Sequence, residues 1–386
     1  MQSAIDLPTP PPELIELSHT LGERIVDWIG QHGPMPFDRY MQMCLYEPGL
    51  GYYFNGLHKF GADGDFVTAP EQGGLFAQAL ARHIDQISPE WGDEWVLLEL
   101  GAGSGVLARD VLLNLENPPS QYLILEPSAA LRDVQAKTLK DAGFTDHVKW
   151  LNEPPSEAFK GLVLGNEVID ALPVKRWRLS EYGIEELAVS VETHEGIGRL
   201  VWTTMPPSQR LCGAVKELMN HLPQRLPIGY ESEILVDLPD WLKTVTDPLS
   251  HGVALFIDYG YTNEVYYHPD RATGTLVCHY RHRAHFDPFI WPGLTDLSAF
   301  VDFSALGQAA KVAGLELGQF ATQAQFVLAS QVHASFLCSS DEQQRLKALS
   351  EFKRLTLPGE MGEKFKVMAL MRNQTTPLAD FSSSID

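Results

Sequence analysis

Apolar and polar residues recur along this chain with two different periods. In "PELIELSHTLGERIVDWIGQHG" the apolar positions return at helical spacing and Gly33-Pro34 closes the run, which predicts a helix. "MPFDRYMQMCLYEPGLGYY" predicts a second helix that stops at a turn at Pro48-Gly49, and "LFAQALARHIDQIS" a third. Between them, "FGADGDFVTAPEQGG" is a glycine-rich polar loop. From Trp95 the pattern changes. "WVLLEL" is a continuous apolar run, a strand buried on both faces, and "VLARDVLLNL" is its crossover helix. "QYLILEPS" and "AALRDVQAKTLKDAG" repeat the pair. "HVKWLN" is a short third strand, and "GLVLGNEVIDALP" a fourth that runs into a polar turn. Residues 176–250 read as an insertion, with antiparallel strands in "RWRLSEYGIEELAVSVETHEG" and "RLVWTT" and a helix around 208–222. "GVALFIDYG" returns as a fifth strand. "GTLVCHYRH" and "FVLAS" are expected as late strands, with "FSALGQAAKVAGL" a helix between them.

Strands alternating with helices predict an α/β fold with a doubly wound, mostly parallel sheet. The expected organisation is a mobile tail (1–12), a helical N-terminal lobe (13–94), a first core part (95–175), an inserted α+β segment (176–250), a second core part (251–372) and a tail (373–386).

Composition narrows the partners. With 29 basic and 50 acidic side chains the net charge is −21, which repels nucleic acid and anionic lipid and favours a basic partner. Four scattered cysteines, Cys44, Cys212, Cys278 and Cys338, make neither a disulfide framework nor a zinc knuckle, and a reducing cytoplasm is expected. No apolar run reaches the roughly 20 residues that span a bilayer. The N-terminus lacks a basic n-region and its first arginine is Arg24, which argues against a presequence.

The chemistry concentrates at strand ends. "LLELGAGSGVLARD" places Glu99 two residues before Gly101, Gly103 and Gly105, a G-x-G-x-G turn rather than the G-x-G-x-x-G of dinucleotide folds. That spacing suits S-adenosyl-L-methionine (SAM). Glycines admit close backbone approach, the helix N-terminus offers N–H groups to a carboxylate, and Glu99 can meet an ammonium through water. Another nucleotide-binding sheet could carry a similar turn. Glu126 ends the second strand, 21 residues after Gly105, where a carboxylate accepts from both ribose hydroxyls. Pro127, Ser128, Thr68 and Asn152 complete the expected cofactor contacts. Asn166 and Glu167 end the fourth strand, on the edge where open α/β sheets bind ligands; a helix cap is the alternative for Asn166 and for Asp170. Asp258, in "DYG", either completes an acceptor pocket or caps a turn. The loop with Asp63, Asp65, Thr68 and Glu71 reads as a flap over the cofactor, with Glu71 available to a substrate. His279, His282 and His285 stand three apart, but a strand would splay them, so no metal site is expected.

The series "MCLYEPGLGYY", "FGADGDFVTAPE", "LLELGAGSGVLARD", "LEPSAALRDVQ", "GNEVIDALPV", "FIDYGY", "DPFIWPGLTDLSAFVDFSAL" and "MGEKFKVMAL" resembles the MidA family of SAM-dependent methyltransferases, from about Gly33 to Leu370. The resemblance implies a class I methyltransferase fold with an added helical N-terminal part and an insertion. Mitochondrial relatives of that family methylate an arginine of a complex I subunit symmetrically, so a complex I-type target is an implied partner. It also puts His282 on the substrate side. Gly165 stands where relatives often have Ala, and Phe300 where they usually have a polar residue.

On this reading Glu167 and then Glu71 localise the charge of an acceptor guanidinium, and Asn166 orients it by a neutral hydrogen bond. Asp170, Asp258 and His282 are expected on the substrate. The partner is a basic or arginine-containing protein, with no nucleic acid and no membrane insertion, and homodimer formation is left open. The rivals are a non-catalytic SAM-binding assembly chaperone, a small-molecule methyltransferase and an NAD-dependent oxidoreductase, the last disfavoured by the glycine spacing and by Glu99.

Overall fold

The computed structural model describes residues 7–57, 69–194, 197–337 and 340–378. At its centre lies a mixed sheet whose main strands are β1 (Val96–Leu100), β2 (Gln121–Leu125), β3 (Val148–Leu151), β4 (Phe159–Asn166), β5 (Leu249–Tyr261), β6 (Glu316–Thr322) and β7 (Phe365–Arg372), with the short Val301–Asp302 paired parallel to the end of β5. Side by side they run β6-β7-β5-β4-β1-β2-β3. β1 to β5 are parallel. β7 is antiparallel to β5, and β6 to β7.

The apolar runs of β1 and β5 follow from cover on both faces. On β5, Val253, Leu255 and Ile257 join one core with the Leu75–Ile87 and Val106–Asn114 helices. The intervening Ala254 and Phe256 join a second core, with the Leu238–Thr246 and Phe303–Val312 helices. The period of two along an extended chain sorts the residues between these layers. Burying Phe256 alone contributes about 1.5–3 kcal/mol. This is the doubly wound α/β fold that the alternation predicts.

The late elements differ from expectation. "FVLAS" falls mostly in a helix, Gln323–Ala329. Gln325 N–H donates to Thr322 Oγ1 at 3.2 Å and Thr322 N–H to Gln325 Oε1 at 2.8 Å, a reciprocal cap that starts a helix there. A five-residue apolar run carries no period of its own. "GTLVCHYRH" becomes a hairpin of Val277–Tyr280 and Arg283–His285, turned at Arg281-His282, both with positive φ. It pairs with Asp296–Ser298 in a separate small sheet rather than extending the central one.

Around the insertion, Lys175–Ser180, Gly183–His194, Ile197–Met205 and Glu231–Ile234 form an antiparallel sheet. Met35–Pro36 adds a further antiparallel strand to Gly183–His194, so the segment before Trp95 is not helical throughout. Leu21, Ile25, Phe37 and Tyr40 share a core with Val189 and Leu297. Among the described residues no helix is long and apolar enough to cross a membrane.

Candidate active site

The carboxyl ends of β1, β2 and β4 meet at one cavity of about 350 Å³. At one end β1 passes through the glycine turn into the Val106–Asn114 helix. Gly101 and Gly103 have φ of 59° and 54° and line the cavity, a backbone geometry side chains resist. Glu99 is buried and its Oε2 accepts from the Tyr122 hydroxyl at 2.8 Å. Burial, reinforced by the charge of Glu126 and opposed by Tyr122, pushes its pKa up to about 7. Glu126 follows β2. Its Oε1 accepts from Ser128 N–H at 2.9 Å and its Oε2 from Gln135 Nε2 at 3.1 Å, which fixes the carboxylate at the cavity wall. Pro127 and Asn152 line the same wall, and Arg132 donates to Asn152 Oδ1. Glu71 also lines it and takes a hydrogen bond from Ser104 Oγ in the glycine turn.

Two residues expected to touch a cofactor, Gly105 and Ser128, are not among those that line the cavity. Gly105 caps the helix at φ 80°, and a Cβ there would lie 3.1 Å from Gln135 Cα, so its smallness serves helix packing. Ser128 orients Glu126 and donates from Oγ to the Tyr53 carbonyl at 2.8 Å. Thr68, with Asp63 and Asp65 of the expected flap, lies outside the described residues.

At the other end Asn166 closes β4 and Glu167 follows with φ 53°, its N–H donating to the Ile257 carbonyl at 2.8 Å. A left-handed non-glycine residue costs about 1–2 kcal/mol, and such strain gathers at functional sites. Burial, then the charge of Asp170, pushes the Glu167 carboxyl up to about 8; hydrogen bonds from Asn166 and the Ala69 backbone oppose this. Asn166 Nδ2 reaches Glu167 Oε1 at 3.3 Å. Asn166 Oδ1 and Asp170 Oδ1 are buried with no hydrogen-bond partner among the described residues, and both side chains line the cavity. Asp170 accepts from the Tyr259 hydroxyl, and burial raises its pKa.

Asp258 does not reach the cavity. Its Oδ2 accepts from the N–H groups of Ile169 and Asp170 at 3.0 and 3.2 Å and its Oδ1 from Tyr259 N–H at 2.9 Å, so it caps the turn that carries Glu167 and Asp170. The second alternative for it is the one observed. His282 is likewise not among the cavity-lining residues: it sits exposed on the 281–282 turn between the two hairpin strands. Phe300 packs edge-on against Tyr259 at 5.0 Å and tilted against Tyr261 at 5.6 Å, backing the tyrosine that holds Asp170.

Tyr46, Tyr53, Phe54, Ser104 and Asp296 line the cavity and were not foreseen. Tyr46, Tyr53 and Asp296 lie inside motifs quoted above, "MCLYEPGLGYY" and "TDLSAF", which were the available signal; only the tertiary fold carries them to β4.

A family model described as "Putative S-adenosyl-L-methionine-dependent methyltransferase" matches residues 75–321. A solved structure from Burkholderia thailandensis, bound to S-adenosyl-homocysteine, is 37% identical, with 98% of each chain covered and a TM-score of 0.90. The Drosophila melanogaster protein arginine methyltransferase NDUFAF7 homolog, mitochondrial, is 28% identical over 88% of this chain and 82% of its own. The human protein arginine methyltransferase NDUFAF7, mitochondrial, is 28% identical over 89% and 81%. The names of the two animal relatives include "mitochondrial", which contradicts the cytoplasmic expectation. Cysteine usage does not name a compartment: Cys44, Cys212 and Cys278 are unpaired among the described residues, and Cys338 lies outside them.

Proposed function

We propose, from the premise that this chain belongs to that family of SAM-dependent methyltransferases, that its methyl acceptor is an arginine of a basic protein partner. The carrying observation is Glu167: a carboxyl held near 8 by burial, beside two unpartnered acceptor oxygens, in the cavity that begins at the glycine turn. The names of the animal relatives support the same acceptor. The finer readings, symmetric dimethylation and a complex I-type subunit as target, rest on the family resemblance.

SAM is the cofactor, and the residues present fit it. A buried carboxylate fixed by two donors, Glu126, faces the cavity one strand from glycines at positive φ and a helix N-terminus. Gly101 and Gly103 would hold the amino-acid part, with Glu99 near its ammonium. Glu126 would take the ribose, flanked by Pro127 and Asn152. When bound, SAM supplies an electrophilic methyl group on a sulfonium.

The chain's own side chains then do three things. Glu167 pairs with guanidinium N–H groups and draws the charge away from the attacking nitrogen, whose parent group has a pKa above about 12. Asn166 Oδ1 and Asp170 accept further N–H donors and fix the plane. Glu71, tied to the glycine turn through Ser104, lines the same cavity and is the second carboxylate available to the guanidinium. Positioning of this kind is the larger part of catalysis for an in-line displacement, which needs the partners about 3–3.5 Å apart.

Methyl-labelled SAM, incubated with the protein and cell extract, tests the reading. Label on arginine of a protein with release of S-adenosyl-homocysteine is the expected result. Label on lysine, a carboxylate or a small metabolite sinks it, and SAM binding with no turnover leaves the chaperone reading in its place.

A further inference from the structure

We propose that Asp296, beside the stacked Tyr46–Tyr53 pair, is a second clamp on the acceptor, so that a guanidinium is gripped from two sides and a planar cation is selected over an ammonium. This rests on the arginine reading above and extends it to a residue outside the strand ends that carry Glu167.

Asp296 is 1% exposed and lines the cavity that Glu167 and Asp170 line. It comes from a different sheet, the small one formed with the Val277–Tyr280 hairpin, and so approaches independently of β4. Its carboxylate is held by two hydroxyls, Tyr53 on Oδ1 at 3.2 Å and Ser298 on Oδ2 at 2.8 Å. Its charge adds to the raised pKa of Glu167, and both residues line the one cavity. The rings of Tyr46 and Tyr53 stack at 5.6 Å and 25°, and the Tyr46 hydroxyl is anchored on the Ala171 carbonyl at 2.8 Å. The independent sign of a missing ligand is Asp170 Oδ1, buried in the same wall with no partner among the described residues.

A guanidinium has five N–H donors spread over a plane, and a single carboxylate satisfies at most two of them. Glu167, Asp170 and Asp296 together offer acceptors on more than one edge of that plane. Two tyrosine rings beside them suit a flat, weakly hydrated cation, whose face stacks on aromatics. A lysine ammonium is a compact point charge. Its three donors diverge from one atom and do not match acceptors arranged around the edges of a plane.

The test measures binding to the cofactor-free protein, with acetyl-Gly-Arg-Gly-amide and its lysine counterpart as probes. Wild type should bind the arginine peptide at least about tenfold more tightly than the lysine one. Asp296→Asn should weaken the arginine peptide about tenfold, the loss expected when a charged hydrogen-bond acceptor becomes neutral, while S-adenosyl-homocysteine affinity stays within about twofold. Tyr53→Phe keeps the ring but frees Asp296 from its hydroxyl and should cost about threefold on the same peptide. Equal affinity of wild type for the two peptides, or an arginine affinity below detection in wild type, overturns the proposal. So does wild-type affinity in Asp296→Asn. If that variant no longer binds S-adenosyl-homocysteine, Tyr53→Phe decides, and unchanged peptide affinity in it is the overturning result. Should label map to arginine in extract while Asp296→Asn binds like wild type, the clamp alone falls. Label elsewhere removes the arginine reading itself.

Discussion

The two ends of the cavity are built differently. The glycine-turn end is local: Glu99, Gly101, Gly103 and Glu126 lie within 28 residues, and each sits directly on a strand end or the turn after it. The Glu167 end is assembled from three distant stretches, with Tyr46 and Tyr53 before the sheet, Asn166 to Asp170 after β4 and Asp296 in a separate small sheet. The difference teaches where precision comes from. A cofactor common to many enzymes can be held by a short motif, whereas an acceptor pocket draws its walls from whatever the fold brings near.

Mutations can break this contrast, and the largest effect is expected at the turn. Gly103→Val puts a β-branched residue at φ 54° on the cavity wall and should abolish SAM binding, by a factor above about a thousand in calorimetry, with far-UV dichroism unchanged. Unaltered affinity would remove the assignment of the local end. Next comes Glu167→Gln. It should leave SAM affinity alone and lower kcat/KM on an arginine substrate on the order of a hundredfold, the scale of about 2–5 kcal/mol for losing one partner of a buried charge pair. Single-turnover methylation at the wild-type rate would show that the assembled end works without this carboxylate.

A smaller effect separates the ends by pH. Glu167 is raised to about 8, so below that pH it is mostly protonated and neutral in the free enzyme, while the guanidinium stays charged. The ionised form pairs with the cation, so kcat/KM for the acceptor should rise about tenfold per pH unit up to about 8 and then level off. The rising limb set by Glu167 should vanish in Glu167→Gln; its persistence there assigns it to another group. The least effect belongs to Asn152, exposed at the cavity rim. Asn152→Ala should weaken SAM by about fivefold, one hydrogen bond's worth, with no change in acceptor affinity at saturating cofactor.

Legibility follows the same division. β1, β2, β4 and β5 were readable because both faces are buried, which leaves long apolar runs bounded by turns. The glycine turn was readable because its chemistry is written within a few residues. β6, "ELGQFAT", is an edge strand with exposed Glu316 and Leu317 and only Ala321 buried, so its alternation is blurred. The helix at Gln323–Ala329 looked like a strand because Phe326 and Val327 give no period over so short a span. Asp258 could not be told apart as ligand or cap, since both put an acid at a strand end and only the Ile169 and Asp170 amides decide. Asp296 was silent for a simpler reason: no spacing along a chain encodes the meeting of two sheets.

β7 has a bearing on how the chain comes into being. It is the last strand in chain order among the described residues, yet it occupies an interior place between β5 and β6, pairing with Gly252–Tyr259 on one side and Glu316–Thr322 on the other. A nascent chain that ends before Phe365 therefore has a full set of parallel strands but an open edge along β5, the kind of surface on which chains pair with each other. Synthesis and completion of the sheet are thus tied together at Phe365–Arg372. A truncation at 364 should be caught by chaperones or aggregate even though every residue of the cavity named here has already been made.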